Sequence, residues 1–365
     1  MDQGGERKSE RRHLNQNSPI DDRVSEAGSP LGQVIAAIVT YNRRDLLCRC
    51  LEACLSQTAP PDLIFVFDNA STDGTKEQLR AKGYLDDRRI RYFSVAANIG
   101  PAAAFDQIIR LAWQAGCGSI WIMDDDVIPS PTALQMLREA FAENFTRAED
   151  VGFLASAIVS GDGLPNNVPE IEMRRPPGED PVWATLLAKG LVRIRWTTLC
   201  SVLIPRNTLT RCGGVNPEFY GSQCDIDFAS RVTNALPGYM VGKSMVTHLR
   251  RVSGRYSILR EIDPRRIEDF FYHYRNLVYV RRRYYGLRNA LLFFGKSTIE
   301  AMQALSAKDH RLLRAKTIMR AIIGGLVFQA SDKPIGPAQI ALKDNALIDD
   351  GSIASPPPLS SRQSV

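Results

Sequence analysis

Short apolar runs alternate with longer amphipathic stretches along most of the chain. Residues 34–39 (VIAAIV) are apolar at every position, the pattern of a strand covered on both faces. Residues 44–56 then place Leu47, Leu51, Cys54 and Leu55 on one face of a helix. The alternation repeats, with strands expected at 63–67 (LIFVF), 90–95 and 119–123 (SIWIM). Helices are expected at 102–115 and 131–145, where Pro131 suits the first turn. This order implies an α/β fold with a mostly parallel central sheet, flanking helices and right-handed crossovers. Such sheets bind ligands outside the carboxyl ends of their strands, so the residues that follow each strand carry the most information.

Those residues are polar. Thr40-Tyr41-Asn42-Arg43 follows the first strand and Asp68-Asn69-Ala70-Ser71-Thr72-Asp73-Gly74 the second. Asn98-Ile99-Gly100-Pro101 follows the third and Asp124-Asp125-Asp126 the fourth. Any one of them reads as a solvated turn, because Asn, Asp, Ser and Gly dominate turns. All four at one edge read as a site. The acidic triplet lies between SIWIM and Val127-Ile128-Pro129, not on a solvated tail. Three adjacent carboxylates repel one another unless positive charge sits among them. Hard oxygen ligands of this kind suit Mg2+ or Mn2+ shared with a diphosphate.

The segments Ile38–Arg43, Asp68–Thr75, Asn98–Ala102 and Met123–Pro129 resemble those of the family 2 glycosyltransferases of GT-A fold, in order and in rough spacing. The resemblance covers most of residues 33–145, and the triple Asp is similar to the bacterial galactofuranosyltransferase and rhamnosyltransferase branch. It implies a Rossmann-like GT-A domain in which Thr40 and Asp68 hold the base and ribose of a nucleotide sugar, with Asn98 near the same pocket. It also implies that Asp124 and Asp126 bind Mn2+ or Mg2+ while Asp125 faces the ribose or the sugar.

The second half gives fewer signals. Residues 146–195 read as loop-rich, and 196–204 (WTTLCSVLI) as one strand ending before Pro205 and a short helix. Trp196 either stacks on an acceptor sugar or packs in the core. Asp225 and Asp227 open a helix, where the dipole favours carboxylates. The resemblance makes Asp225 the general base, from an acidic pair whose first position is Cys224 here, and sets Asp227 beside the acceptor. His248, about twenty residues further on, would complete the metal ligands.

Charge then adds a feature outside the catalytic segments. The 365 residues carry a net charge of +6, yet the first thirty hold five bases and six acids. The excess therefore lies beyond them, chiefly after His248. Residues 270–287 (FFYHYRNLVYVRRRYYGL), 290–305 and 312–328 read as basic amphipathic helices. Two readings stay open: contact with anionic membrane through Arg281, Arg282, Arg283 and Arg288, or packing on the catalytic domain. No nucleic-acid-binding fold accompanies them. The seven cysteines are odd in number and scattered, and the N-terminus opens on charged residues, so no secretory signal is expected. The expected compartment is the cytoplasm, with the inner face of the cell membrane as a peripheral alternative. Cys48, Cys50 and Cys54 lack a fourth zinc ligand nearby and read as core.

By the resemblance, the chain is an inverting, metal-dependent enzyme. It moves galactofuranose or rhamnose from a UDP- or dTDP-sugar to a hydroxyl of a cell-envelope glycan or lipid-linked acceptor. Residues 1–31 would be a disordered leader and 32–255 the catalytic domain, divided into a nucleotide-sugar half (32–145) and an acceptor half (146–255). Residues 256–345 would be the basic helices and 346–365 a disordered tail. A sugar nucleotidyltransferase would need a Gly-rich basic loop where Thr40-Tyr41-Asn42 stands. A processive synthase would need Gln where Val192 precedes Arg195-Trp196. A glycan-binding scaffold on the same fold is the non-enzymatic alternative.

Overall fold

The computed structural model describes residues 30–249, 257–331, 335 and 352–353. Nearly all of the expected leader and tail, and the basic stretch 250–256, lie outside the described residues. The first half runs β1 (Val34–Thr40), α1 (Arg44–Leu55), β2 (Leu63–Asp68), α2 (Thr75–Ala81), β3 (Ile90–Val95), α3 (Pro101–Gln114) and β4 (Ser119–Asp124). Then follow β5 (Val127–Pro129), α4 (Ala133–Asn144), β6 (Phe153–Ser160), β7 (Glu170–Ile171), β8 (Leu191–Trp196), β9 (Val202–Pro205), α5 (Arg206–Cys212), α6 (Cys224–Ala235) and β10 (Gly238–His248). Three long helices, α7 (Pro264–Tyr285), α8 (Leu287–Ala304) and α9 (Arg311–Val327), precede a short β11 (Ser352–Ile353).

The strands form a single sheet in the order β11-β3-β2-β1-β4-β9-β6-β10-β8-β7, with β5 on β10. β1 pairs in parallel with β2 and β4, in a register that sets Thr40 beside Asp68 and Val39 beside Asp124. The polar ends of three strands thus meet at one edge. β9 runs antiparallel between β4 and β6 and separates this parallel half from a mixed second half. Successive β1 side chains point to opposite faces. Ile35 and Ala37 pack with α3 and α6, whereas Ala36 and Ile38 pack with α1 and α4. Leu47 and Leu51 of α1 are fully buried there, each worth about 1.5–3 kcal/mol relative to exposure. The seven cysteines are buried and free, and Cys48, Cys50 and Cys54 belong to this second core.

Several elements depart from the sequence reading. The stretch expected to be loop-rich contains β6, which lies inside the sheet between β9 and β10. Its Ala and Ser residues dilute the apolar signal of Phe153–Ser160. Residues 196–204 are not one strand: β8 ends at Trp196, β9 begins at Val202, and Ser201 between them takes a left-handed φ of 81°. Pro131 sits in the turn before α4, which begins at Ala133.

The last three helices share their own core, in which Ile267, Phe270, Tyr274 and Val278 of α7 meet Ile318, Ala321 and Ile322 of α9. Close approach requires Gly325, where a Cβ would stand 2.6 Å from Arg275 O and from Val278 Cβ. The α7 arginines are largely engaged within the protein. Arg282 donates to Leu326 O and Phe328 O, Arg281 to Asn289, and Arg283 to Tyr279. Arg281 and Arg282 are half-buried in these contacts and tie helices together, whereas Arg283 and Arg288 are exposed. No described helix is long and apolar enough to cross a membrane.

Candidate active site

At the carboxyl edge, Thr40, Arg43, the acidic triplet, the loop after Trp196, the start of α6 and the end of β10 converge. They surround a cleft of about 610 Å3 lined by, among others, Arg43, Asp124, Asp126, Asn167, Trp196, Cys200, Asp225 and His248. Sheet register explains part of this. β5 pairs with β10 so that His248 lies opposite Val127, and Leu249 N donates to Asp126 O at 2.8 Å.

The three acids have different surroundings. Thr40 Oγ1 donates to Asp125 at 2.7 Å, and Arg43 Nη1 donates to Asp125 at 3.2 Å and to Asp126 at 2.8 Å. Burial first, and then its acidic neighbours, push the Asp124 carboxyl up to about 7. Burial pushes Asp125 to about 6 against the pull of Thr40 and Arg43. Burial would also raise Asp126, but the His248 imidazole and Arg43 outweigh it and hold that carboxyl below its ordinary value.

His248 Nδ1 lies 3.0 Å from Asn167 Oδ1, while Asn167 Nδ2 donates to Thr198 Oγ1 at 3.1 Å. That polarity makes Nδ1 a donor to Asn167 and aims Nε2 at the carboxylates. Nε2 stands 3.1 Å from Asp126 Oδ1, a buried oxygen without a hydrogen bond. Cys200 Sγ approaches Asp124 Oδ2 at 3.4 Å, and one ligand atom from each of Asp124, Cys200 and His248 lies within 4.8 Å of the others. Two carboxyls raised by burial and acidic neighbours, converging with a third carboxylate and an imidazole, are the chemistry of a divalent-cation site.

Asp225 lies one residue into α6, partly open to the cleft, and burial raises its carboxyl above the ordinary range. The chain reaches it through a segment in which Tyr220 (φ 63°) and Gln223 (φ 67°) are left-handed without being glycine. Such backbone persists only when neighbours hold it. Fully buried Asn276 of α7 does so, donating to Phe219 O at 2.8 Å and to Ser222 O at 2.7 Å. Tyr220 O accepts from Ala102 N at 2.8 Å, and the Tyr220 ring stacks on Tyr272.

The remaining predicted residues divide. Asp68 is buried near Thr40 and accepts from Ser71 N and from the Tyr92 hydroxyl. Asn98 Oδ1 accepts from Asn69 Nδ2 and Gly100 N, which shapes the loop before α3. Trp196 lines the cleft, but its Nε1 donates to Glu170 and Tyr285 at 2.8 Å each, so the indole is fixed at its polar end. Asp227 does not face the cleft: it is 0% exposed, accepts from the Tyr284 hydroxyl at 2.7 Å and pairs with Arg231 at 3.4 Å. Its expected place beside an acceptor is corrected to one between α6 and α7. Arg43, Asn167 and Cys200 were not singled out in the sequence. Arg43 carried a signal as the only base in the motif after β1, whereas Asn167 and Cys200 lie in loops with no periodic pattern.

Comparison with known proteins agrees with this geometry. Residues 35–207 match the model of glycosyl transferase family 2. Galactofuranosyltransferase GlfT1 of Mycolicibacterium smegmatis is 32% identical over 120 residues, covering 32% of this chain and 37% of that protein. The chain thus spans little more than a third of this curated relative. Among solved structures, GalNAc-T7 with UDP, GalNAc and Mn2+ superposes with a TM-score of 0.52 at 15% identity, covering 79% of this chain and 55% of that one. Staphylococcus aureus TarS 1-349 with UDP-GlcNAc also gives a TM-score of 0.52 at 15% identity, covering 80% and 81%. These likenesses bear out the GT-A fold: a mostly parallel central sheet with flanking helices, followed by C-terminal helices.

Proposed function

With residues 35–207 forming a glycosyl transferase family 2 domain, we propose that the protein is an inverting, metal-dependent glycosyltransferase. The observation that carries this reading is the meeting of an acidic triplet, an imidazole and a separate raised carboxyl, Asp225, around one cleft. The nucleotide half, 32–145, holds the donor, with Thr40, Asp68, Asn98 and Asp125 around the nucleoside and sugar. Asp124, Asp126 and His248 are the residues that would hold Mn2+ or Mg2+, which supplies positive charge against a departing diphosphate. Arg43 adds a cation at the same point.

Asp225 accepts the proton of an acceptor hydroxyl as that oxygen bonds to the anomeric carbon. The bond from this carbon to the diphosphate breaks on the opposite face, so one base suffices and the configuration inverts. A raised carboxyl pKa brings the base closer to the hydroxyl it serves. The likeness to a galactofuranosyltransferase favours UDP-galactofuranose over dTDP-rhamnose, with a cell-envelope glycan or lipid-linked acceptor.

A lipid-linked acceptor fits a second observation. α8 exposes Leu287, Leu291, Ile299 and Met302 along one stripe, with Leu292 beside it and Arg288 and Lys296 on the same helix. Such a face suits the headgroup boundary of an anionic membrane. We place peripheral contact on α8.

The deciding experiment measures nucleoside diphosphate release from UDP-galactofuranose with Mn2+, with chelator, and in Asp225→Asn. Turnover should need the metal and fall about 10^2- to 10^4-fold in the variant. Donor binding without turnover in the wild type would instead leave a glycan-binding scaffold.

A further inference from the structure

We propose that Cys200 is a ligand of the cation, so that the site is a mixed oxygen, nitrogen and sulfur site that favours thiophilic divalent ions. This rests on the metal-dependent reading above and adds a donor that the acidic triplet does not predict. Of the seven cysteines, Cys200 is the one that joins a carboxylate and an imidazole in a ligand-sized group among the described residues.

Its sulfur stands 3.4 Å from Asp124 Oδ2. Ligands of a tetrahedral zinc ion, with bonds of about 2.0–2.3 Å, lie roughly 3.3–3.8 Å apart. The opposite side of the site is slightly tighter, 3.1 Å between His248 Nε2 and Asp126 Oδ1, and that oxygen is buried without a hydrogen bond. The full group spans 4.8 Å, so small side-chain rotations close it on an ion.

The sulfur is also aimed. The left-handed Ser201 that follows it donates its backbone N–H to Ile122 O at 3.1 Å, and its hydroxyl oxygen accepts from Trp121 Nε1 at 2.9 Å. Asn167, which orients His248, also presents Nδ2 to Cys200 Sγ at 3.9 Å. One amide therefore positions both the nitrogen and the sulfur donor, as outer partners of metal ligands do.

Carboxylate and imidazole alone serve Mn2+ and Mg2+. A thiolate adds little for these hard ions and much for Zn2+, Cd2+ and Co2+. The thiol proton leaves to solvent as the metal–sulfur bond forms. Zn2+ or Cd2+ should then displace Mn2+ from the full-length protein.

The test is optical and needs no turnover. Chelator-treated, dialysed full-length protein is titrated with Co2+, and the sulfur-to-cobalt charge-transfer band is followed in the near ultraviolet. Calorimetry with Mn2+ and Cd2+ runs beside it on wild type, Cys200→Ser and Cys117→Ser. The expected result is a band in wild type and Cys117→Ser that is lost in Cys200→Ser. Cd2+ affinity should fall about tenfold or more in Cys200→Ser, with Mn2+ affinity nearly unchanged. Stoichiometric Co2+ binding without the band in wild type, or a band that survives in Cys200→Ser, overturns the sulfur ligand and leaves the metal reading intact. Failure of Mn2+, Co2+ and Cd2+ all to bind overturns both. The wild-type spectrum decides even if Cys200→Ser fails to fold.

Discussion

Tyr284→Phe separates a structural Asp227 from one that meets the acceptor. The substitution keeps the ring, which is buried against α6, and removes only the hydroxyl that donates to Asp227 Oδ1 at 2.7 Å. Asp227 is 0% exposed, so water cannot replace that donor. A hydrogen bond to a charged group contributes about 1.5–3 kcal/mol. Arg231 remains at 3.4 Å as partial compensation, which favours the lower half of that range. Asp227→Ala should be more damaging, about 3 kcal/mol, because it deprives the buried Arg231 of its carboxylate. The Arg231 bonds to Cys212 O and Gly214 O persist and limit the loss. Urea unfolding measures both variants, with an unchanged slope confirming that the midpoint shift is a stability change. In Tyr284→Phe the acceptor KM should stay at the wild-type value below the transition. A loss under about 0.5 kcal/mol together with a raised acceptor KM would refute the reasoning and return Asp227 to the acceptor.

Three further outcomes follow from the same geometry. The folded carboxyls of Asp124 (about 7) and Asp125 (about 6) bind protons more tightly than unfolded ones. Their contribution to stability in metal-free protein is therefore greatest below the unfolded value and is lost as pH rises through about 4 to 7. Mn2+ held by Asp124 competes with its proton, so the ion's stabilising shift in melting temperature should be larger at pH 7.5 than at pH 5.5; equal shifts would contradict this. Arg43→Gln should raise the donor KM about tenfold, the loss of one charge-assisted bond of about 1.5 kcal/mol, while acceptor KM holds in steady-state assays. Leu291→Glu with Leu292→Glu should abolish cosedimentation with anionic vesicles while activity on a soluble acceptor persists. Vesicle binding unchanged in that double variant would remove α8 from the membrane.

Legibility in the sequence followed local density of signal. β1, β2 and β4 are unbroken apolar runs closed by polar residues, so both the strands and their polar ends could be read. β6 is diluted by Ala and Ser, and β10 changes register between Val241 and Met245, which breaks its pattern. Asp227 was misassigned for a geometric reason: residues two apart on a helix do not share a face, so a cleft-facing Asp225 turns Asp227 inward. Asn167 and Cys200 escaped because their partners are distant in the chain, 81 residues to His248 and 76 to Asp124. No local pattern could announce them.

The grip of Asn276 on the left-handed segment before α6 also bears on how such a protein could diversify. The matched family region, 35–207, stops before Asp225, and the residue steadying that carboxyl's approach comes from a helix further still along the chain. A chain cut after β10 would keep the groups proposed for the donor and lose a strut of the group proposed for the acceptor. On the proposed roles, the acceptor base would lean on the terminal helices, whereas Thr40, Asp68, Asn98 and Asp125 would not. Replacing the terminal helices would then alter what steadies Asp225 and leave those proposed donor residues in place.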